Sequence, residues 1–264
     1  MIENRKKVYI LITGGFFVYL IIYWKYFESS SILPSTEYLD AKSASDLEEL
    51  YHGLMGQIQV KCNKITRVGS YGDGGWNVCL DNGYYPKKPC LVYAFGIGLD
   101  SSFDVEMKIL YGCEVHSFDP FVPKSQIPYL LSLNYHAIGI SGETGIVNGT
   151  QFMTLLDIRK HLNHTEKNIS ILKMDVENDE WNSLIKAMYD GELDHVKQLL
   201  VEFHSHFSAA SKWNVHRNAL NVVKKLMDFN FRIFSIGKNK ACLYISDRDI
   251  LLTKCYNVHM VKVS

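Results

Sequence analysis

The chain has 264 residues, 47% of them apolar, and its 28 Lys+Arg balance its 28 Asp+Glu to a formal net charge of zero. That length fits one domain plus an appendage, and the apolar share can build a sizeable core. Balanced charge without a basic stripe argues against a nucleic-acid partner held by counterion release.

At the N-terminus, Arg5, Lys6 and Lys7 precede the uncharged run VYILITGGFFVYLIIYW, Val8 to Trp24. A helix of that length rises about 26 Å, enough for a thin bilayer. With the basic cluster ahead of the span, residues 1–7 are expected as a cytosolic tail and residues 8–26 as a signal-anchor transmembrane helix. Residues 27–44, polar and interrupted by Pro34, read as a stem, and residues 45–264 as the folded body. The expected product is a single-pass type II membrane protein of the endoplasmic reticulum or Golgi with a lumenal body. A cleaved signal peptide is the rival and would release the body by secretion. Against it, the apolar run is longer than the usual signal region and ends in bulky Trp24 and Tyr26.

Three glycosylation sequons, Asn148-Gly-Thr150, Asn163-His-Thr165 and Asn168-Ile-Ser170, agree with a lumenal body. So does the even number of cysteines, 62, 79, 90, 113, 242 and 255, which can pair in an oxidising compartment. Six cysteines allow fifteen connectivities, and no spacing here selects one. Cys90 and Cys113 lie in apolar runs that also suit buried thiols. No CxxC or zinc-spaced Cys/His cluster occurs, so no metal is expected.

Ser45-x-x-Glu48 reads as a capping box opening a helix with Leu47, Leu50, Tyr51 and Leu54 on one face. Strands are predicted at Leu91–Phe95, Glu114–Phe118, Tyr135–Ile140, Ile171–Val176 and Gln198–His204. Helical patterns fall at Phe103–Tyr111, Thr154–His161, Glu180–Tyr189 and Arg217–Asp228. This alternation predicts an α/β doubly wound, mostly parallel sheet. Phe231–Ile236 and Ala241–Ile245, joined by Gly237-Lys-Asn-Lys240, suit a C-terminal antiparallel hairpin.

The segment AFGIGLDSSFD places Gly96 and Gly98 in the first two positions of a dinucleotide fingerprint, but Ser101 stands in the third. The pyrophosphate cradle is therefore incomplete. S-adenosylmethionine, a mononucleoside without phosphate, needs the tight turn but not the cradle. GCEVHSFDP ends its strand in Asp119, where an acid can accept both ribose hydroxyls of a nucleoside, and Pro120 stops the strand there. In LKMDVENDEW, strand alternation puts Lys173, Asp175 and Glu177 on one side. The strand QLLVEFHSH places Glu202, His204 and His206 on one face, with His204 a candidate proton acceptor. Each feature also has a plainer reading: a strand-to-helix turn, a solvated aspartate, a capping histidine.

These segments, with RVGSYGDGGWNVCLD, occur in the order seen in the membrane-anchored methyltransferase-like protein 24 group, related to the FkbM-type S-adenosylmethionine-dependent methyltransferases. The resemblance spans about Lys61 to His206. It implies a class I methyltransferase (Rossmann-like) fold, the sheet closed by C-terminal antiparallel pairing. It puts Gly96, Gly98 and Phe95 beside S-adenosylmethionine and Asp119 on the ribose. GDGGW, with Asp73, becomes a loop over the pocket, and Asp175 and Glu177 sit at the methyl-transfer end. Asp175, Glu177 and His204 are the catalytic candidates. The expected reaction is O-methylation of a hydroxyl on a glycan or small-metabolite acceptor in the secretory pathway. One departure stands out: the family pattern D-[IV]-E-G has Asn178 at its glycine. A left-handed glycine there tolerates Asn, whereas close ligand approach does not.

Three rivals remain at this level. A catalytically silent binding protein would keep the fold without the chemistry. A type II glycosyltransferase would share the anchor and stem, but its metal-binding Asp-x-Asp could only be Asp247-Arg-Asp249, which reads as a surface turn. A short-chain reductase would need Tyr-x-x-x-Lys late in the chain, and Tyr84 to Lys88 precedes the glycine loop and contains Pro86. Oligomeric state is not legible.

Overall fold

The structure, a computed structural model, describes residues 36–72, 74–126, 133–206 and 212–263. The expected anchor and the first half of the stem lie outside the described residues, as does Asp73. Among the described residues no helix is long and apolar enough to cross a membrane. The chain divides into two units, residues 1–40 and 41–264. Of the first, helix α1 (Thr36–Asp40) is described.

The second unit opens with α2 (Ala44–Leu54). Its N-cap is Ser43, whose side chain accepts from Asp46 N at 3.2 Å. The cap thus lies two residues before the expected box, and Glu48 faces inward with Leu47, Tyr51 and Leu54. A hairpin of β1 (Ile65–Val68) and β2 (Trp76–Cys79) follows.

The central sheet is built from β3 (Leu91–Phe95), β4 (Glu114–Phe118), β5 (Asn134–His136), β9 (Ile169–Met174) and β10 (Val196–His204), all paired in parallel. It is completed by β11 (Phe231–Lys238) and β14 (Cys255–Lys262), in the order β11-β14-β10-β9-β3-β4-β5. Every residue of β3 and β9 is buried. Continuous apolar runs such as LVYAF and ISILKM are what parallel strands covered on both faces require. The covering helices are α3 (Ser102–Tyr111), α4 (Leu155–His161), α5 (Asp179–Tyr189) and α6 (Lys212–Asp228).

Two strand expectations are corrected. Phe231–Lys238 pairs not with the next run but with Cys255–Lys262, which inserts between β10 and β11, antiparallel to both. Leu243–Ile245 (β12) pairs with Leu251–Thr253 (β13) as a separate small hairpin. The physical reason is burial: β12 alternates exposed and half-buried, whereas β14 is buried almost throughout. The expected strand 135–140 splits. Asn134–His136 joins the main sheet, and Gly139–Ile140 (β6) joins a small sheet with β7 (Gly145–Val147) and β8 (Thr150–Met153).

All six cysteines pair: Cys62–Cys79, Cys90–Cys113 and Cys242–Cys255. Cys90 and Cys113 are therefore not free thiols; they tie the starts of β3 and β4 together.

Candidate active site

Strand β3 runs to β4 on one side while β9 lies on its other side, so the sheet reverses direction of growth between β3 and β9. Open α/β sheets bind ligands beyond the strand ends at such a point. A cavity of about 470 Å³ lies there, within the range of small-ligand sites. The end of β3 turns through Gly96 and Gly98, with φ of +70° and +59°. A Cβ on Gly96 would sit 1.7 Å from the Asp175 carbonyl oxygen, so the β3 and β9 ends touch there without room for a side chain. A Cβ on Gly98 would meet nothing within 4 Å. Gly98 lines the cavity and leaves its space to a ligand.

Asp119 follows β4 and also lines the cavity. Its Oδ2 accepts from Gly98 N at 3.0 Å, and its Oδ1 accepts from Phe121 N and Val122 N at 2.9 and 3.1 Å. The carboxylate is thus held rigid across the glycine turn. Phe95 lines the cavity and stacks on Phe118 with centroids 4.5 Å apart. Part of the wall is apolar: Phe121, just after Asp119, with Ile138, Ile140 and Phe152 from the small sheet and its approach.

A family model described as "Methyltransferase domain" matches residues 37–247. The chain belongs to that methyltransferase family. Among curated proteins it is similar to "Probable methyltransferase-like protein 24" of Homo sapiens, 28% identical over 250 residues, which cover 84% of this chain and 67% of that one. The Rattus norvegicus protein of the same name is 26% identical over 247 residues, covering 84% and 66%. The chain thus spans about two thirds of these relatives' length. Among solved structures, "Crystal structure of Methyltransferase from Pyrococcus furiosus" aligns over 68% of this chain and 78% of that one, at 10% identity and a TM-score of 0.33. "Human methyltransferase 10 domain containing protein" aligns over 84% of each chain, at 8% identity and a TM-score of 0.34. Both superpositions are loose.

In this methyltransferase the cavity wall carries, among the described residues, Asp100, Asp119, Asp175, Glu177 and Asp179 against one cation, Lys173. Such a surplus of carboxylates favours a cationic ligand. Lys173 is the lone charge of β9; its Nζ donates to the carbonyls of Phe95 and Gly96 at 3.2 and 2.5 Å. It therefore fastens the β3 turn rather than facing a ligand alone. Asp100 is pushed up by burial, but hydrogen bonds from Ser102 and Ser70 and the charge of Lys173 hold it below its ordinary value. Burial and the neighbouring Glu180 raise the Asp179 carboxyl.

Asp175 and Glu177 both line the cavity, but unequally: their side chains are 27% and 78% exposed. Strand β9 ends at Met174, and Glu177 and Asn178 both take left-handed backbone, φ +54° and +89°. Lys173, Asp175 and Glu177 share the cavity, but the turn after β9 and not strand alternation brings Glu177 there. Asn178 precedes α5 in a conformation that Asn tolerates, and it is not part of the cavity wall that Val176, Glu177 and Asp179 form.

His204 stands behind that wall, with its side chain only 4% exposed. Its Nδ1 lies 3.3 Å from Oε1 of the fully buried Glu180, which also accepts from His204 N at 2.6 Å. Its Nε2 lies 3.6 Å from Glu177 and 3.9 Å from Asp175. Burial pushes the imidazole down, but the Glu180 hydrogen bond and the charges of Glu180, Glu177 and Glu202 outweigh it and hold its pKa at about 9. At neutral pH it is an imidazolium, which suits it to orient the two carboxylates and not to take a proton.

Six of the sequence candidates, Phe95, Gly96, Gly98, Asp119, Asp175 and Glu177, meet in one cavity, with His204 behind. Asp73 lies outside the described residues; its neighbour Gly74 is in the cavity wall. The surrounding loop is latched to the start of α3, with Gly69 N donating to Glu106 at 2.8 Å and Ser70 N to Ser102 at 2.8 Å. Sequence reasoning missed Glu180, the apolar wall and the fastening role of Lys173. A single lysine inside an otherwise apolar strand was the signal for the last. Asp247-Arg248-Asp249 lies in the turn between β12 and β13, with Asp247 paired to Lys212 and Arg248 to Glu49. Neither aspartate belongs to the cavity wall.

The residues fit S-adenosylmethionine. The open space at Gly98 suits its amino-acid end, Asp119 its ribose hydroxyls, the Phe121–Ile138–Phe152 wall its adenine, and the carboxylate surplus its sulfonium.

Proposed function

We propose that the protein is an S-adenosylmethionine-dependent methyltransferase acting on a hydroxyl oxygen of a glycan or small metabolite. The observation that carries this reading is the acid-lined cavity at the switch point, with Gly98 and Asp119 hydrogen-bonded to each other in its wall. S-adenosylmethionine supplies an electrophilic methyl group on a sulfonium. The protein's part is to align the acceptor and exclude water. Asp175, in the wall and partly shielded, is the group placed to accept the hydroxyl proton. Glu177, at the mouth, contacts the acceptor, and the His204 imidazolium holds both carboxylates in place.

We place the body in the lumen of the secretory pathway, behind the N-terminal anchor. The three disulfides suit an oxidising compartment, and Asn148, Asn163 and Asn168 are all exposed for glycosylation.

The test is calorimetric titration of the oxidised full-length protein with S-adenosylmethionine, beside Asp119→Ala. Binding weakened at least about tenfold by the substitution supports the pocket. A folded, oxidised protein that binds nothing overturns the proposal. Binding without methyl transfer to any hydroxyl in an acceptor screen favours the silent binding protein instead. In that screen Asp175→Asn is expected to lower kcat by about 10²–10⁴-fold with little change in cofactor affinity.

A further inference from the structure

The other end of β4 carries a second constellation, remote from the cavity. Glu114 opens the strand, and alternation puts His116 on the same face two residues on. His116 Nε2 lies 3.0 Å from Glu114 Oε1, and His164 Nε2 lies 3.3 Å from that same oxygen. A ligand atom from each of the three residues falls within 4.8 Å of the others. The second nitrogen of each ring is engaged elsewhere: His116 Nδ1 with His136 Nε2 at 2.9 Å, and His164 Nδ1 with Tyr93 Oη at 2.8 Å. Both imidazoles are nearly buried, 9% and 6% exposed, while the Glu114 side chain is 43% exposed.

His164 sits in the connection between α4 and β9, and that connection is clamped. The buried Arg159, ion-paired with Glu192, donates to the carbonyls of His164 at 3.1 Å, Thr165 at 2.7 Å and Lys167 at 2.8 Å. The amide of His164 returns a bond to Arg159 O at 2.7 Å. Lys167 Nζ then holds the second Glu114 oxygen, Oε2, at 2.9 Å, leaving Oε1 to the two rings. A surface carboxylate that merely accepted a hydrogen bond would need none of this support. Rigid support of this kind is what a ligand site requires.

We propose that Glu114, His116 and His164 form a binding site for a divalent transition-metal cation of the zinc class. Tetrahedral bonds of 2.0–2.1 Å place neighbouring ligand atoms about 3.3 Å apart, and the two measured separations are 3.0 and 3.3 Å. Two imidazoles with one carboxylate suit Zn²⁺ rather than Mg²⁺ or Ca²⁺, which take oxygen ligands. His136 and Tyr93 are the outer partners that fix ring orientation. On loading, each ligand ring moves its proton from Nε2 to Nδ1. The Tyr93 hydroxyl turns its own proton away and accepts from His164, and His136 moves its proton from Nε2 to Nδ1 so that its Nε2 accepts from His116; no ring changes charge. The fourth position opens beside Glu114 and takes water. None of the three ligands belongs to the cofactor cavity wall, so the cation joins the start of β4 to the loop after α4 and takes no part in methyl transfer.

The test strips the oxidised full-length protein with a chelator and titrates it with Zn²⁺ by calorimetry, following thermal unfolding in parallel. The expected result is one equivalent bound and a melting temperature that rises with Zn²⁺. His164→Gln and Glu114→Gln each lose that equivalent and the rise, and Tyr93→Phe binds about tenfold more weakly. His206→Gln, in the separate imidazole group behind the cavity, keeps it. Glu114→Gln changes only a half-exposed carboxylate, so loss of binding in that folded variant is not loss of fold. No Zn²⁺ bound by the wild type, binding unchanged in both ligand variants, or binding lost in His206→Gln would each overturn the proposal.

Discussion

Gly96 and Gly98 lie two residues apart, both in left-handed backbone, yet alanine should affect them differently. Any L side chain in that conformation costs about 1–2 kcal/mol, and this applies at φ +70° and +59° alike. At Gly96 the new methyl would stand 1.7 Å from the Asp175 carbonyl oxygen and 2.8 Å from its carbon. Both are backbone atoms, so the ends of β3 and β9 must separate, and overpacking of this kind adds about 1–3 kcal/mol. Gly96→Ala should therefore lower unfolding free energy by about 2–5 kcal/mol. At Gly98 there is no steric addition, because nothing lies within 4 Å. Gly98→Ala should lose only about 1–2 kcal/mol. Its methyl instead enters the cofactor cavity, so calorimetry should show S-adenosylmethionine binding weakened at least about tenfold, or about 1.4 kcal/mol. Equilibrium urea unfolding of the oxidised proteins supplies the stabilities. If Gly96→Ala is no less stable than Gly98→Ala, the close contact between the strand ends is wrong. If Gly98→Ala binds the cofactor normally, the ligand does not use that space.

Three further outcomes are expected. The folded pKa of His204, about 9, exceeds its unfolded value near 6.5; its contribution is therefore complete below about pH 6.5 and lost as pH rises through about 9, a change of roughly 3 kcal/mol. Unfolding free energy measured from pH 6 to 10 should show that fall in the wild type and lack it in His204→Gln; identical profiles would mean the imidazole is not held as a cation. Asn178→Gly should raise stability by up to about 1 kcal/mol in urea unfolding, since the position is left-handed, and should leave activity unchanged; a tenfold gain in activity would show that the Asn side chain obstructs the site. Replacing Cys90 and Cys113 together by alanine opens a loop of sequence separation 23 and should cost about 3 kcal/mol in the same assay; a loss under 1 kcal/mol would mean that the unfolded chain is already compact there.

Much of the sheet was legible because its central strands are continuous apolar runs with sharp ends. Leu91–Phe95 and Glu114–Phe118 fall where the pattern places them, the first closed by Gly96 and the second by Asp119-Pro120. β14 was not legible for a topological reason. The strand that follows Phe231–Lys238 in sequence is β12, and short glycine-bearing connections favour pairing neighbours. The sheet instead takes a later strand that buries Tyr256, Val258, Met260 and Val261 between β10 and β11. Burial in three dimensions outweighs proximity along the chain, and no local pattern carries that information. The apolar wall of the cavity was missed for a related reason: β6, β7 and β8, of 2, 3 and 4 residues, are too short to print a periodicity.

The site shows the same division between chemistry that is local and chemistry that is not. Gly96, Gly98 and Asp119 could be placed because a turn and a strand end are local features. His204 could not be given its role, because that role is set by Glu180, a residue 24 positions earlier whose carboxylate is buried beneath the ring. An isolated strand-end histidine titrates near neutral pH and reads as a base. The same ring bonded to a buried carboxylate and facing two more is held as a cation. A ring held in that way is suited to orient the neighbouring carboxylates. The left-handed pair Glu177–Asn178 separates these two by turning Glu177 toward solvent while Asp175 stays partly shielded in the wall. The proposed choice of Asp175 as acceptor therefore rests on the backbone conformation at Glu177–Asn178 and on the buried Glu180–His204 pair, which the residue types of the motif do not by themselves disclose.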